Sequence, residues 1–412
     1  KDSALTTGNN SYIYYNDKGL PIQTRKPYME GSSGRQTIIT NQYSFSGKLL
    51  QQVVYHGKSY TTLTNKYSYD HNGRLIQQTS KAKDQPEKII SENTYNTLGQ
   101  LKSKNLGDGL ELQTYEYTIR GWLASVNGDY VASTVNNKHF GFNISYDYGF
   151  SSRQINGNIA GVKWKSAGDG ELRAFGYDYD NANRLIKADF TQHTGGWNNT
   201  AGLDFGVRNL NYDAMGNILS MTQMGVKMNT SSIIDSLTYE YLSGSNKLAG
   251  VTDAANDTSS RLGDFIDKNI TPDDYDYDAN GNLVEDGNKN ITSISYNYLN
   301  LPEKIEVNGK GTIDYFYNGK GEKYKKVVTE GANVTTTLYV NGAIFVNNVL
   351  QFIEHDEGRM RWTAVQGPNS YNWHDFQYDY FIKDHLGNIR MVLTNQKDTL
   401  RYFATMEDGY AT

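Results

Sequence analysis

The chain of 412 residues has nearly balanced charge, with 45 acidic and 40 basic residues, and contains no cysteine. This composition disfavours nucleic acid and anionic lipid as partners, and it excludes disulfides, thiol nucleophiles and thiolate metal sites. Only 37% of the residues are hydrophobic and 33 are tyrosine, which suits a one-layer sheet hydrated on both faces better than a large solid core. The sequence has no run of eighteen apolar residues, so it predicts no membrane insertion.

A seven-residue cassette, Tyr-x-x-x-Gly-x-Leu, organises residues 1–123, which we predict to be regular repeats. Its clearest copy in this part of the chain contains Tyr69, Asp70, Gly73 and Leu75. Copies begin at Tyr15, Tyr43, Tyr69, Tyr95 and Tyr117. Such a period accommodates two strands and their turns.

The fifth cassette position indicates a tight turn. In the copy that begins at Tyr179, Asn183 stands where glycine is expected. Glycine and asparagine both enter the left-handed φ > 0 region at low cost, and an Asp or Asn early in a loop can bond the backbone ahead of it. Each cassette therefore predicts a strand, a tight turn and a second strand.

The regular spacing stops in residues 124–176. Alternating residues from Phe140 to Tyr148 and the Asn156-Gly157 turn signal persist there. We predict longer, irregular strands of the same sheet, and a separate domain is the less favoured alternative.

Cassettes resume in residues 177–395, and residues 396–412 are expected to form an exit segment. A short helix is allowed around residues 259–267, but the chain is otherwise expected to be β. The predicted turn residues are Tyr179, Asp180, Asn183, Leu185, Tyr212, Asp213, Gly216, Tyr277, Asp278, Gly281 and Leu283. Tyrosines also recur two residues apart, as at Tyr67/Tyr69 and Tyr378/Tyr380, which places both rings on one strand face and predicts a continuous aromatic ladder.

Two patterns could indicate catalysis or sugar binding. The repeated Tyr-Asp pair resembles aromatic and carboxylate groups that hold carbohydrate, but its regular placement at turns favours a structural role. The pairs Asp384-His385 and His374-Asp375 could act as a general base or bind metal, yet neither has recognisable ligand spacing. We expect no catalytic residue, metal site or cofactor.

A third pattern resembles a calcium-binding loop. Its potential ligands are Asp274, Asp276, Asp278, Asn280, Asn282 and Glu285, at the first, third, fifth, seventh, ninth and twelfth places. The sixth place holds Ala279 instead of glycine, and no flanking helices are predicted. The repeat turn itself is therefore the favoured explanation.

The cassettes resemble the YD repeats of the rearrangement-hotspot (Rhs) family. The segment from Tyr380 to Thr394 is similar to that family's core-ending signature, here Asp384, His385, Leu386, Gly387, Asn388, Ile389 and Arg390. The resemblance extends from about Tyr15 to Glu407. The stretch from Asn156 to Gly161 and the ending from Ala404 to Glu407 resemble the Bacteroidetes branch.

The resemblance implies an all-β protein in which a long antiparallel sheet of hairpins spirals into a hollow shell or part of one. It further implies a non-catalytic scaffold, secreted or at the cell surface, that encapsulates a C-terminal toxin or effector of the same polypeptide. Export machinery or an immunity protein would be further partners. An exported adhesion or carbohydrate-binding protein is the alternative, and a glycoside-processing enzyme is third. Because no stop signal follows Met406, we expect a longer natural polypeptide, and the family's self-cleavage motif is not seen.

Overall fold

The computed structural model describes residues 11–27, 36–59, 61–133, 137–199, 202–227, 230–256, 265–268, 273–366 and 372–394. These residues form thirty-one strands and one short helix, and the strands pair antiparallel. The prediction of an all-β, antiparallel fold is confirmed. The exit segment at 396–412 and most of the helix considered around 259–267 lie outside the described residues.

The strands follow one another with short connections. Their bounds are β1 Tyr12–Tyr15, β2 Pro21–Pro27, β3 Gln36–Tyr43, β4 Leu49–His56, β5 Thr61–Tyr69, β6 Leu75–Ala82, β7 Lys88–Tyr95, β8 Leu101–Leu106, β9 Glu111–Tyr117, β10 Leu123–Val126, β11 Phe140–Ser145, β12 Gly161–Ser166, β13 Leu172–Tyr179, β14 Leu185–His193, β15 Trp197–Asn198, β16 Val207–Tyr212, β17 Ile218–Lys227, β18 Thr230–Tyr241, β19 Leu248–Asp253, β20 Tyr275–Tyr277, β21 Leu283–Asp286, β22 Ile291–Tyr296, β23 Pro302–Val307, β24 Gly311–Tyr317, β25 Lys323–Glu330, β26 Asn333–Val340, β27 Ala343–Val346, β28 Val349–His355, β29 Gly358–Gln366, β30 Asn372–Lys383 and β31 Ile389–Thr394. The helix α1 spans Gly128–Ala132.

The described residues fall into two compact units. Unit one contains those within 1–115, 316–326 and 335–397, and unit two those within 116–315 and 327–334. In unit one, neighbouring strands pair from β1 to β9 and from β26 to β31. Unit two pairs its strands in the same way from β10 to β19 and from β20 to β24, except that β14 pairs with both β15 and β16. The strands β19 and β20 belong to different sheets. Buried apolar side chains give each unit a core of its own, for example Phe345 in unit one and Phe190 in unit two.

Each cassette hairpin has the same register, with a bulge next to its tyrosine. Tyr69 pairs with Leu75, while Ser68 pairs with Gln77, so Ile76 has no opposite residue. The same shift occurs where Tyr179 pairs with Leu185, Tyr212 with Ile218 and Tyr277 with Leu283. A bulge bends the strand locally and disturbs the regular ladder of backbone hydrogen bonds.

The fifth cassette position has the left-handed backbone that the sequence pattern indicates. Gly73, Gly216 and Gly281 have φ of 75°, 93° and 87°, and Asn183 has φ of 64°. Backbone hydrogen bonds close the turn on both sides, since Asp70 N donates to Arg74 O at 3.0 Å and Gly73 N donates to Asp70 O at 2.9 Å.

Residues 124–176 contain β10, β11, β12 and part of β13, together with helix α1, which the sequence pattern does not reveal. The helix has five residues, too few to show an apolar stripe over several turns. Its Tyr130 and Val131 are buried, and a Cβ on Gly141 would lie 2.8 Å from Asn127 O, so close packing holds it against β11.

We expect Gly216→Ala to destabilise unit two by about 1–2 kcal/mol, because alanine resists the left-handed backbone. No heavy atom lies within 4 Å of the added Cβ, so backbone strain is the cause of this loss. Gly216→Asn should cost less, as Asn183 already fills the equivalent position. Urea denaturation with a unit-two probe would measure both, and equal losses for the two variants would contradict the prediction.

Candidate functional site

The second cassette residue caps its own turn with both oxygens of its side chain. Asp70 Oδ1 accepts hydrogen bonds from the backbone N–H groups of Asn72 and Arg74, each at 2.9 Å, and Oδ2 accepts one from Arg74 Nε at 2.7 Å. The same arrangement occurs at Asp180, Asp213, Asp278 and Asp384. The carboxylates are therefore part of the turn.

In seven cassette turns the side chains at the second and sixth positions are a matched donor and acceptor. Where the second residue is one of these aspartates, the sixth is a donor, Arg or Asn. Where the second is Asn96, its amide donates to Gln100 Oε1 at 2.9 Å, and Asn318 donates to Glu322 Oε2 at 2.6 Å. The donor side chain is therefore the sixth residue in some turns and the second residue in others, while the geometry of the turn stays the same.

The cassette tyrosine connects neighbouring strands through its hydroxyl group. Tyr69 Oη donates to the carbonyl of Leu49, the first residue of the adjacent strand, at 2.9 Å. The same bond joins Tyr95 to Leu75, Tyr146 to Leu123, Tyr179 to Ile159, Tyr212 to Leu185, Tyr241 to Ile218, Tyr277 to Leu248 and Tyr296 to Leu283, at 2.6–3.0 Å. A bulge lies next to six of these acceptors, namely Leu49, Leu75, Leu185, Ile218, Leu248 and Leu283.

The prediction that the cassette tyrosine rings stack on one another in a continuous ladder is wrong. Successive cassette tyrosines are separated by a whole strand, about 10 Å across two strand spacings, which exceeds the distance at which rings interact. Cations from the sixth position cover the rings instead, with Arg74 at 4.7 Å from the Tyr95 ring and Arg184 at 4.7 Å from the Tyr212 ring. The pairing of Tyr378 and Tyr380 on one strand face is correct, since both are buried in β30.

The turn aspartates are poor candidates for sugar binding. Hydrogen bonds from the backbone N–H and then the guanidinium of Arg74 hold the pKa of Asp70 below its usual value of 3.8. The side-chain amide and backbone N–H of Asn282 do the same to the pKa of Asp278. Because the pKa values are lowered, the stability that these carboxylates contribute is complete above about pH 3.8 and is lost as the pH falls further.

The calcium-loop interpretation fails because its residues do not converge. Asp274 is buried before β20, Asp276 is exposed within that strand, and Asp278 caps the following turn. Among the described residues, no three carboxylate or imidazole groups meet in a metal-binding arrangement. Asp274 instead accepts a hydrogen bond from Val251 N at 2.8 Å, and Asp278 accepts one from Asn280 N in its own turn.

The core-ending signature is itself a cassette turn in which Lys383 takes the place of tyrosine. Lys383 pairs with Ile389, Gly387 has φ of 85°, and Asp384 caps the turn while accepting a hydrogen bond from Arg390 Nε at 2.8 Å. His385 lies in this turn, where burial lowers its pKa. Asp375 bonds Gln85 instead of joining His385, and the side chain of His374 lies outside the described residues.

Sequence reasoning missed a surface within unit one where late strands pack against early ones. We call it the closing surface, and define it by its contacts: Lys26 with Asn341 at 3.0 Å, Lys58 with Asn348 at 2.7 Å, Gln85 with Asp375, Lys104 with Glu357 at 2.5 Å, and Tyr380 Oη with Ile89 O at 3.2 Å. The paired residues are about 250–315 positions apart, so no local pattern links them.

One glycine allows the closest contact of the closing surface. A Cβ on Gly107 would lie 2.5 Å from the Tyr380 ring, so only glycine leaves room for this ring at the turn between β8 and β9. The sequence shows a Gly-Asp-Gly turn here, but the need for space becomes visible only when Tyr380 is in place.

Comparison with solved structures identifies the fold. TcdB2-TccC3-TEV matches with a TM-score of 0.65 over 93% of this chain, TcdB2-TccC3 without its hypervariable C-terminal region with 0.62 over 93%, and a Photorhabdus luminescens Tc holotoxin pore with a TccC3 mutation with 0.60 over 91%. Sequence identity is 14% in each case. The chain has the fold of a part of these toxin proteins.

The chain corresponds to 18–19% of the length of those solved chains. No protein-family model and no curated protein matches the sequence. No helix among the described residues is long and apolar enough to cross a bilayer.

We expect Tyr212→Phe to destabilise unit two by about 1 kcal/mol, because it removes the 2.7 Å hydrogen bond to Leu185 O and leaves the ring in place. Tyr298→Phe is the control, since that residue is 83% exposed in its turn. Urea midpoints and hydrogen exchange of β14 would measure the effect. If Tyr212→Phe and Tyr298→Phe are equally stable, the hydrogen bonds of the cassette tyrosine hydroxyls do not stabilise unit two.

We expect Asp70→Asn to be more harmful than Asp278→Asn. The new amide at position 70 would direct N–H groups at the donors of Arg74, whereas Asn282 can rotate its own amide and offer oxygen to position 278. Hydrogen exchange of the two turns at pH 7 should show faster opening in Asp70→Asn and little change in Asp278→Asn. Faster opening in Asp278→Asn than in Asp70→Asn would show that the second and sixth positions are not matched as donor and acceptor.

Proposed function

We propose that this chain is a non-catalytic scaffold of the Rhs/YD type, whose sheets form part of a shell around a C-terminal toxin or effector of the same polypeptide. The observation that carries the proposal is the likeness in fold to the TcdB2-TccC3 structures, which extends over nine-tenths of this chain. One of those structures was solved without a hypervariable C-terminal region. A variable cargo region following this chain is proposed by analogy.

The chemistry of the repeats supports a wall-forming role. Carboxylates of the turns are occupied by backbone amides and by partners at the sixth position, and cassette tyrosine hydroxyls are occupied by carbonyl groups. Such groups are unavailable for proton transfer or ligand binding. The repeats thus extend sheets in which these tyrosine hydrogen bonds join successive hairpins.

The finer parts of the proposal rest on the sequence resemblance. We propose secretion or display at the cell surface, an origin in the Bacteroidetes branch, and an immunity protein or export machinery as further partners. The absence of catalytic activity in this segment is part of the same proposal.

One observation favours the alternative of a surface-exposed binding protein. The seven most exposed large hydrophobic side chains of the described residues all lie in cassette turns or the equivalent loop between β11 and β12. They are Phe45, Leu98, Ile119, Ile155, Met215, Tyr298 and Leu386. Turns normally carry polar residues, and exposed apolar groups confined to one kind of turn are typical of contact surfaces.

Protease protection of the complete natural polypeptide would test encapsulation. We expect proteinase K to leave the region that follows residue 412 intact while the scaffold is folded, and to digest it once denaturant opens the scaffold. The same region expressed alone is the control and should be digested at once. If the region is digested equally fast in the complete polypeptide and when expressed alone, while the scaffold stays intact, the cargo is not enclosed. That result would favour the alternative of a surface-exposed binding protein.

A further inference from the structure

His355 occupies a half-buried position whose hydrogen bonds require a neutral ring. Its Nδ1 accepts the backbone N–H of Glu357 at 3.3 Å, and its Nε2–H donates to Asp379 O at 3.1 Å. A second ring proton on Nδ1 would face the N–H of Glu357, donor against donor. The turn at residues 355–358 therefore holds its shape only with the neutral imidazole.

The neighbours of His355 are the residues that contact the early strands. Its ring lies 5.4 Å from the ring of Tyr380, which bonds Ile89 O and fills the space over Gly107. Glu357, which donates to His355, also holds Lys104 at 2.5 Å. Protonation of one ring would thus disturb two contacts of the closing surface together.

The charges around His355 come from its turn and from the strands packed beside it. Asp356 and Asp379 favour a protonated ring, but the carboxylate of Asp379 is 2% exposed and is already held by Arg359 at 3.0 Å and by Arg361 at 2.6 Å. Tyr378 and Tyr380 present aromatic rings. Desolvation of the ring therefore opposes its protonation more strongly than the two carboxylates favour it.

We propose that the closing surface is a protonation-sensitive latch, in which His355 holds the late strands on the early strands at neutral pH and releases them in mild acid. The latch is a property of unit one and stands independently of any enclosed cargo. In a scaffold, it would couple acidification to opening between strands that are distant in sequence.

Burial sets the pH range of release. It lowers the pKa of His355 from 6.5 to about 4, against the smaller opposing effect of its hydrogen bond to Asp379. Because the closed form disfavours the proton, its stability is complete above about pH 6.5 and declines as the pH falls toward 4. Between pH 7 and pH 5 this shift corresponds to an increase of about 20-fold in the opening equilibrium.

A second histidine adds to the effect. His56 ends β4 and is fully buried, and neither of its ring nitrogens has a hydrogen-bond partner among the residues that the structure describes. Burial lowers its pKa to about 4, and no charged group contributes to that shift. It lies two residues before Lys58, which contacts Asn348 across the closing surface.

Hydrogen exchange of the full chain at pH 7 and pH 5, corrected for intrinsic rates, tests the latch. We expect opening of β30 to rise by about 20-fold or more at pH 5, while β17 and β18 of unit two change little. Unchanged exchange in β30 would overturn the proposal. An equal rise in β17 and β18 would also overturn it, because acid would then unfold the whole protein.

His355→Phe and His355→Gln separate protonation from packing. Each should lose about 20-fold of the acid effect on β30, and agreement between them excludes a defect of one replacement side chain. His71→Gln is the control, since His71 is exposed in a cassette turn and should leave the effect complete. If both His355 variants retain the full acid effect, His355 does not control the latch.

Discussion

The hydrogen bond from a cassette tyrosine to the first carbonyl of the adjacent strand is the interaction on which the repeat depends. The bulge beside Tyr69 shifts the register, and the hydroxyl of the next cassette's tyrosine, Tyr95, reaches the carbonyl of Leu75. The ring of Tyr95 extends from its own strand toward Leu75, and the guanidinium of Arg74 in the preceding turn lies over the face of this ring. One residue therefore joins each hairpin to the one before it.

This arrangement explains a long sheet with few aliphatic residues. Neutral hydrogen bonds contribute only about 1 kcal/mol each, but here they recur at almost every hairpin and keep successive turns in line. The capping aspartates order their turns, because each carboxylate accepts a hydrogen bond from a donor side chain at the sixth position. The glycine or asparagine between them is fixed by backbone geometry, whereas the residues at the tip are free to vary, and several are exposed and apolar.

The closing surface uses different chemistry from the repeats. It joins lysines to amide and carboxylate groups, buries Tyr378 and Tyr380, and contains no repeated spacing. Because the early and late strands are far apart in sequence, bringing them together costs loop entropy. Their contacts form only after both sets of strands exist. Regulation is more naturally placed there than in the repeats, since it depends on a few contacts between segments far apart in sequence.

The sequence alone determined the antiparallel β-fold, the position of the cassette turns and the need for a left-handed residue at Gly73, Asn183, Gly216 and Gly281, because these depend on neighbours a few residues apart. Fold resemblance to toxin proteins also followed from those motifs. Only the tertiary structure decided that tyrosine hydroxyls replace ring stacking, that the supposed calcium ligands diverge, and that Tyr380, which packs beside His355, meets the early strands. These outcomes depend on strand spacing, bulges and contacts between segments hundreds of residues apart, which no local pattern encodes.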